Sequence, residues 1–249
     1  MSGHSKWSSI KHKKGAADAK RGKLFARLIR GIESAAKVGG ANPEGNPTLT
    51  DAIQKARDAS VPKDNIERAL KRASGDADGV SYETVHYEGY APGGVALYVE
   101  CLTDNRNRAA NDVRAAFNKN GGSLAAPGAV NYLFTRTGVV IVPADSTTED
   151  DVLLAGLEAG ISDMVREGDS FMVTAEPNDV YAVRAALEDA GIAVVSSQVT
   201  MLPSMSVPVS EESTAKAVLR LVEALEDCDD VQNVYANFDI PDRVLEAVA

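Results

Sequence analysis

The chain is expected to fold as several α and β domains. These are an N-terminal helical bundle and two α+β bodies of ferredoxin-like order, the last inserted into the middle one. Three observations predict this. Hydrophobic period and charge sign change together at SGDADG, Ser74–Gly79. From Gly138 to Thr200 the apolar segments spell β-α-β-β-α-β, the order of a split βαβ unit. With that stretch set aside, the segments on either side spell the same order a second time. The resulting boundaries are 1–78 for the helical domain, 79–136 with 204–249 for the discontinuous domain, and 137–203 for the insertion.

In the first domain, Leu24, Leu28, Ile32 and Ala35, with Phe25, Ile29 and Ala36 beside them, recur at helical spacing over 18–38. Lys20, Lys23, Arg27 and Arg30 fall on the opposite side, and Arg21 falls within the apolar arc. Gly39-Gly40 ends this helix. ANPEGNP forms a turn, and Thr48 with Asp51 resembles a capping box opening a second helix to Ala59. Pro62 suits the first turn of NIERALKRA, with Ile66, Leu70 and Ala73 inward and Gly75 as the stop.

Beyond the linker, SYETVHYEG and GVALYVECL are strands, joined by a tight turn at Gly93-Gly94. DNRNRAANDVRAAFNKNGG is a helix and NYLFT a strand. The inserted unit follows as GVVIVP, TEDDVLLAGLEAG, ISDMV, SFMVTA, PNDVYAVRAALEDAG and IAVVSSQVT. SVPV, a helix over Glu212–Asp227 and the strand VQNVYANF complete the discontinuous domain.

Charge is divided as sharply as period. The whole chain carries -10, yet residues 1–30 hold nine Lys/Arg and one acid. Through Ser74 the count is 16 Lys/Arg against seven Asp/Glu; from Gly75 it is 10 against 29. A basic body and an acidic one share the chain. Such a cationic start can neutralise phosphates, which makes nucleic acid the expected partner. The candidate binding residues are His4, Ser5, Lys6, Trp7, Lys11, His12, Lys13, Lys14, Lys20, Arg21, Lys23, Arg27 and Arg30. Trp7 either stacks on a base or packs the arm onto the bundle. A second candidate is the loop Asp104, Asn105, Arg106, Asn107, Arg108. It either receives a phosphate at a helix start or caps the helix through Asp104 and pairs its arginines with acids.

Material for catalysis is sparse. His4, His12 and His86 have no neighbours at metal-ligand spacing, GDSF is not a nucleophile elbow, and GYAPGG lacks the length and ending of a phosphate loop. The carboxylates fall mostly in surface runs. Neither an enzyme, a cofactor nor a metal is expected. Cys101 and Cys228 suit reduced thiols of a cytoplasmic protein, and no apolar run is long enough to span a membrane. A monomer is expected.

GHSKWSSIKHKKGAADAKRGKLFARLIR closely resembles the opening of the YebC/PmpR family. The resemblance continues through GNPTLTDAI, VPKDNIERALKRASG, YEGYAPGGVA, LTDNRNRAANDVR, FNKNGG and LEDCDDVQNVYANFDI. Gly31 and the loop LAAPGAV, Leu124–Val130, depart from the family pattern. The resemblance implies a helical bundle with two ferredoxin-like domains. It also implies a cytoplasmic transcriptional regulator that binds DNA through the basic N-terminal domain. The family includes the mitochondrial translational activator of cytochrome c oxidase subunit one. That membership implies the alternative of a ribosome-associated translation factor on structured ribosomal RNA. An adaptor gripping a basic protein through the acidic domains is a third reading. The residues reveal no distinctive helix-turn-helix, although the helices at 50–59 and 63–73 are suitably spaced.

Overall fold

A computed structural model describes residues 18–74 and 81–248. The linker residues 75–79, with the expected stop at Gly75, lie outside them. The described chain divides into two compact units, one of residues 18–27, 81–135 and 202–248, the other of 28–74 and 136–201. The expected α+β architecture, helices with two four-stranded sheets, is present.

In the first unit, β1 (Glu83–Tyr90) and β2 (Ala96–Thr103) form an antiparallel hairpin registered from Glu83↔Thr103 to Tyr90↔Ala96. The Pro92-Gly93-Gly94 turn closes it, with both glycines at positive φ (79° and 76°) that side-chain-bearing residues rarely adopt. Helix α4 (Arg106–Lys119), which follows three N-terminal helices, leads to the two-residue β3 (Ser123–Leu124). Helix α7 (Glu212–Glu226) leads to β9 (Val231–Ala236), which pairs antiparallel with β2. The sheet order is β3-β1-β2-β9. Leu97, Val99 and Cys101 of β2 are buried in one cluster with Val113 and Phe117 of α4 and Val218, Leu221 and Leu225 of α7. Gly89 admits this packing: a Cβ there would meet the Phe117 ring at 2.6 Å.

Two expected strands behave differently. Residues 131–133 of NYLFT form a 3-10 turn, and the strand β4 begins at Phe134 and runs to Pro143. SVPV contributes only β8 (Val207–Pro208), paired in parallel with β10 (Phe238–Asp239) ahead of α8 (Asp242–Val248). The place beside β2 goes to β1 instead. A hairpin partner one tight turn away closes at less entropic cost than a segment a hundred residues distant, and Pro208 has no N–H for a ladder.

The loop after β3 is organised by one carboxylate. Glu88 is buried and accepts N–H donors from Gly128 (2.7 Å), Val130 (2.6 Å) and Asn131 (3.0 Å). Burial by itself would raise its pKa, but these backbone donors outweigh burial and hold it below the ordinary value.

The second unit carries the β-α-β-β-α-β order expected for 138–200. It comprises β4, α5 (Glu149–Gly156), β5 (Ile161–Glu167), β6 (Ser170–Ala175), α6 (Val180–Asp189) and β7 (Ser196–Pro203). Its sheet order, β5-β6-β4-β7, is that of a ferredoxin-like unit. Val140, Val142, Val152, Phe171, Val173, Val183 and Leu187 fill its core. Strand β7 starts later than IAVVSSQVT suggests, since Ile192 is held back by its N–H to the Leu187 carbonyl.

The same unit contains most of α1 (Asp18–Gly39), with α2 (Pro47–Asp58) and α3 (Lys63–Ser74). Helix α2 starts at Pro47 with Asn46, not Thr48, as its cap. The Asn46 Oδ1 accepts the Leu49 N–H (3.1 Å), while Nδ2 donates to Ala35 O (2.8 Å) and Gly40 O (2.9 Å). One buried amide thus closes α1 and opens α2. Ser60, at φ 60°, ends α2 without the glycine usual there.

Helix α2 also seals the edge of the sheet. Asp51, Lys55 and Asp58 lie on one helical face. Asp58 Oδ2 accepts the Ser197 N–H (3.0 Å), Asp51 Oδ1 accepts the Val199 N–H (2.8 Å), and Lys55 Nζ donates to Val199 O (3.0 Å). Alternate residues of β7 point their backbone groups to the same edge, so these side chains take the place of a fifth strand. From α6, Tyr181 donates to Asp51 (2.7 Å), and Arg184 pairs with Asp58 (3.0 Å) and donates to Ser197 Oγ (3.0 Å).

Asp58→Ala takes the carboxylate from Arg184 Nη1 and leaves the Ser197 edge N–H unanswered. It should destabilise the chain by about 3 kcal/mol, the scale for removing one partner of a buried pair. Chemical denaturation of the full chain reads this, and a loss below about 1 kcal/mol would reduce the clasp to a surface contact. Glu88 makes a pH-dependent contribution. Its folded pKa lies below the ordinary value of 4.5, so its stabilisation is complete above that pH and lost as pH falls through the folded value. The difference in unfolding free energy between wild type and Glu88→Gln should therefore be constant near neutrality and shrink only below pH 4.5. A difference that shrinks at higher pH would contradict the assignment.

Candidate nucleic-acid interface

The arm residues His4, Ser5, Lys6, Trp7, Lys11, His12, Lys13 and Lys14 lie outside the described residues. Lys20 occupies the first turn of α1. Arg21 is exposed, its guanidinium 5.3 Å from the Phe25 ring centroid, so the cation falling in the apolar arc sits over an aromatic face. The apolar stripe is only half-buried from Leu24 to Ile29 and fully buried at Ile32, Ala35 and Ala36.

Two cations of the expected face are engaged within the first unit. Arg27 Nη2 donates to Glu226 O (2.9 Å) and Nη1 to Gln232 O (3.4 Å). Lys23 Nζ reaches Asp227 O (3.4 Å) and lies 3.8 Å from Asp229 Oδ1. These acceptors surround the C-terminus of α7, where unsatisfied carbonyls and the negative end of the helix dipole attract cations. Arg30 is half-buried.

The second helical pair supplies cations beyond those singled out in the sequence. Arg57, Lys63, Arg68, Lys71 and Arg72 are exposed or nearly so along α2 and α3. Buried Ile66 and Ala69 face α3 inward, and the same spacing in KDNIERALKRAS turns Lys63, Arg68 and Lys71 outward. That amphipathic pattern is the signal that could have found them. Acids are interspersed: Lys63 lies 3.6 Å from Glu67, Arg68 contacts Asn65 and the Asp64 carbonyl, and Arg72 pairs with Glu33.

At the loop 104–108, contacts follow the ion-pairing alternative. Asn105, rather than Asp104, caps α4 by accepting the Arg108 N–H (3.1 Å). Arg108 donates to both oxygens of buried Asp230 (2.9 and 2.8 Å) and to Asp104 (2.6 Å). The hydrogen bonds it donates to Asp230 first, then to Asp104, stabilise its charged form and raise its pKa. Arg106 lies 3.5 Å from Glu83, and Asn107 is exposed. The guanidiniums here face carboxylates already in place.

Reactive groups offer little chemistry. Burial pushes the Cys101 thiol up to about 12 and Cys228 up to about 11, which makes both poor nucleophiles at neutral pH. His86 faces Glu100 across the β1–β2 pair at 3.6 Å and stacks on Tyr98. Among the described residues no group of three or more His, Cys, Asp or Glu is placed to hold a metal ion, and no helix is long and apolar enough to cross a membrane.

Comparison with known proteins places these features in a family. Residues 5–76 match the TACO1/YebC protein N-terminal domain, and residues 82–238 match the TACO1/YebC second and third domain. A protein of Thermobifida fusca named a probable transcriptional regulatory protein is 60% identical over 250 residues, covering 100% of both chains. One of Mycobacterium tuberculosis with the same name is 59% identical over 249 residues, covering 100% of this chain and 99% of its own. The crystal structure of a conserved hypothetical protein from Aquifex aeolicus superimposes with a TM-score of 0.79 at 46% identity, covering 90% of this chain and 93% of that one. Matched from its basic start through its last long strand, the chain belongs to the TACO1/YebC family.

Proposed function

We propose that this chain is a nucleic-acid-binding regulator of gene expression that engages phosphates through its basic N-terminal part. The observation that carries this is the charge division. Through Ser74 there are 16 Lys/Arg against seven acids, while the rest holds 10 against 29. A surface lysine ordinarily has acidic neighbours, and over residues 1–30 nine Lys/Arg stand with a single acid. Arg57, Lys63, Arg68 and Lys71 extend the cations of the arm and α1 with further positions on α2 and α3. The relatives' name, probable transcriptional regulatory protein, supports duplex DNA as the target.

One observation favours structured RNA, and with it a translational role. The exposed side of α3 mixes Asp64 and Glu67 with its cations. An acidic side chain entering a major groove faces two phosphate walls, so a helix meant for base reading would be expected to place few there. Phosphate-led binding with weak base discrimination suits a folded RNA, recognised by shape and backbone, better than a sequence-defined operator.

Replacing Arg57, Lys63, Arg68 and Lys71 with Ser or Gln should weaken binding similarly across sequences. It should also make the salt dependence shallower, by about 0.9 for each phosphate no longer neutralised on duplex DNA or about 0.7 on single strands. Stability should stay within about 0.5 kcal/mol of wild type. An unchanged slope in a folded variant would mean that these cations are only solvated surface. Crosslinking and sequencing of all bound DNA and RNA from the same cells separates the two targets. Enrichment at a few promoters establishes the regulator on DNA, and a dominant ribosomal RNA footprint establishes the translational role.

A further inference from the structure

We infer that the C-terminal end of α7 is an internal competitor for the nucleic-acid-binding cations of α1, so that binding requires an intramolecular latch to open. The inference rests on the proposed reading that α1 meets nucleic acid, and it adds how that site is regulated. Arg27 Nη2 sits 2.9 Å from the Glu226 carbonyl and Nη1 3.4 Å from the Gln232 carbonyl, while Lys23 lies between the Asp227 carbonyl (3.4 Å) and the Asp229 carboxylate (3.8 Å). The acceptors reproduce the chemistry of a phosphate: oxygens clustered at the negative end of a helix dipole, with added carboxylate charge. The surrounding sequence, LEDCDDVQ, concentrates four acids within five residues.

The latch is weak by construction. Lys23 and Asp229 have side chains 57% and 79% exposed, so solvent and salt screen their attraction. An array of phosphates offers both cations more charge than the latch does, whereas an isolated anion offers less. The device therefore raises the threshold for binding: a polyanion displaces the α7 end, and small anions do not. The cations of α2 and α3 belong to the other unit and provide the first hold.

The test uses the full chain with Asp227→Asn and Asp229→Asn together. A control chain carries Asp145→Asn and Asp189→Asn, which change the net charge equally on exposed residues elsewhere. Binding of a labelled stem–loop RNA and a labelled mixed-sequence duplex DNA is followed by anisotropy across a salt series, with thermal unfolding confirming that each chain folds. The latch predicts affinity at low salt at least about threefold higher for the α7 variant than for the control. It also predicts a steeper salt slope as Lys23 loses the Asp229 carboxylate and both cations meet a weaker negative field at the α7 end, the carbonyls beside them remaining in place. Lys23→Ser with Arg27→Gln should then cost more affinity in the α7 variant than in wild type. Equal gains in the two charge variants, or none in either, would overturn the latch and leave nucleic-acid binding standing. Failure of every chain to bind either probe would overturn the proposed function itself.

Discussion

The edge of the β5-β6-β4-β7 sheet would be an open row of backbone donors and acceptors if α2 did not close it. Asp51, Lys55 and Asp58 answer the backbone groups of Ser197 and Val199 one for one, while Tyr181 and Arg184 hold the two carboxylates from behind. Two of the seven acids in the basic N-terminal stretch are therefore structural. Their removal from the surface leaves the outward side of that stretch more cationic than its composition indicates. Half-buried carboxylates of this kind are costly unless hydrogen-bonded, and each has at least two donors. The burial also locks Tyr181 in its protonated form, its pKa raised by burial first and then by the adjacent Asp51 charge.

The other unit uses the same device on a loop. Glu88 stands on the side of β1 away from the helices and gathers three N–H donors of the segment 128–131, which leads directly to exposed Tyr132. The Arg108–Asp230 pair joins the start of α4 to the start of β9, and the Leu102 N–H meets the Asp230 carbonyl (2.8 Å) beside it. In both units a carboxylate that reads as surface charge in the sequence instead anchors backbone. The remaining acids, such as Asp227 and Asp229 at the end of α7, stay at the surface and set the negative field of the chain. Electrostatic function follows from which acids are buried and which are left outside.

Much of the fold is legible in the sequence, because local patterns carry it. Helical periodicity locates α1, α2 and α3. The change of period and charge at SGDADG marks a composition boundary, the glycine pair marks the β1–β2 turn, and the order of segments over 138–200 indicates a ferredoxin-like sheet. Each depends on residues within a turn or two of one another. The cap of α2 is where local pattern misleads, since Thr48 with Asp51 has the spacing of a capping box and yet is not the cap. The structure selects Asn46, whose Oδ1 accepts from Leu49 while Nδ2 donates to two carbonyls, those of Ala35 and Gly40; a threonine hydroxyl has a single hydrogen to donate.

What the sequence by itself determined is the inventory: a basic first part, an acidic remainder, amphipathic helices and short strands. Tertiary structure alone decided how those residues are used. Strand partnership in the first unit went to β1 because a hairpin closes cheaply, a comparison of loop entropies that element order does not express. Arg27 and Lys23 turned to the end of α7, and Arg106 and Arg108 to Glu83 and Asp230, because partners distant in sequence arrived at hydrogen-bonding or ion-pairing distance. A cation is visible in a sequence, but whether its charge faces solvent or a carboxylate depends on contacts made across the fold, and Coulomb attraction depends on distance in space rather than along the chain.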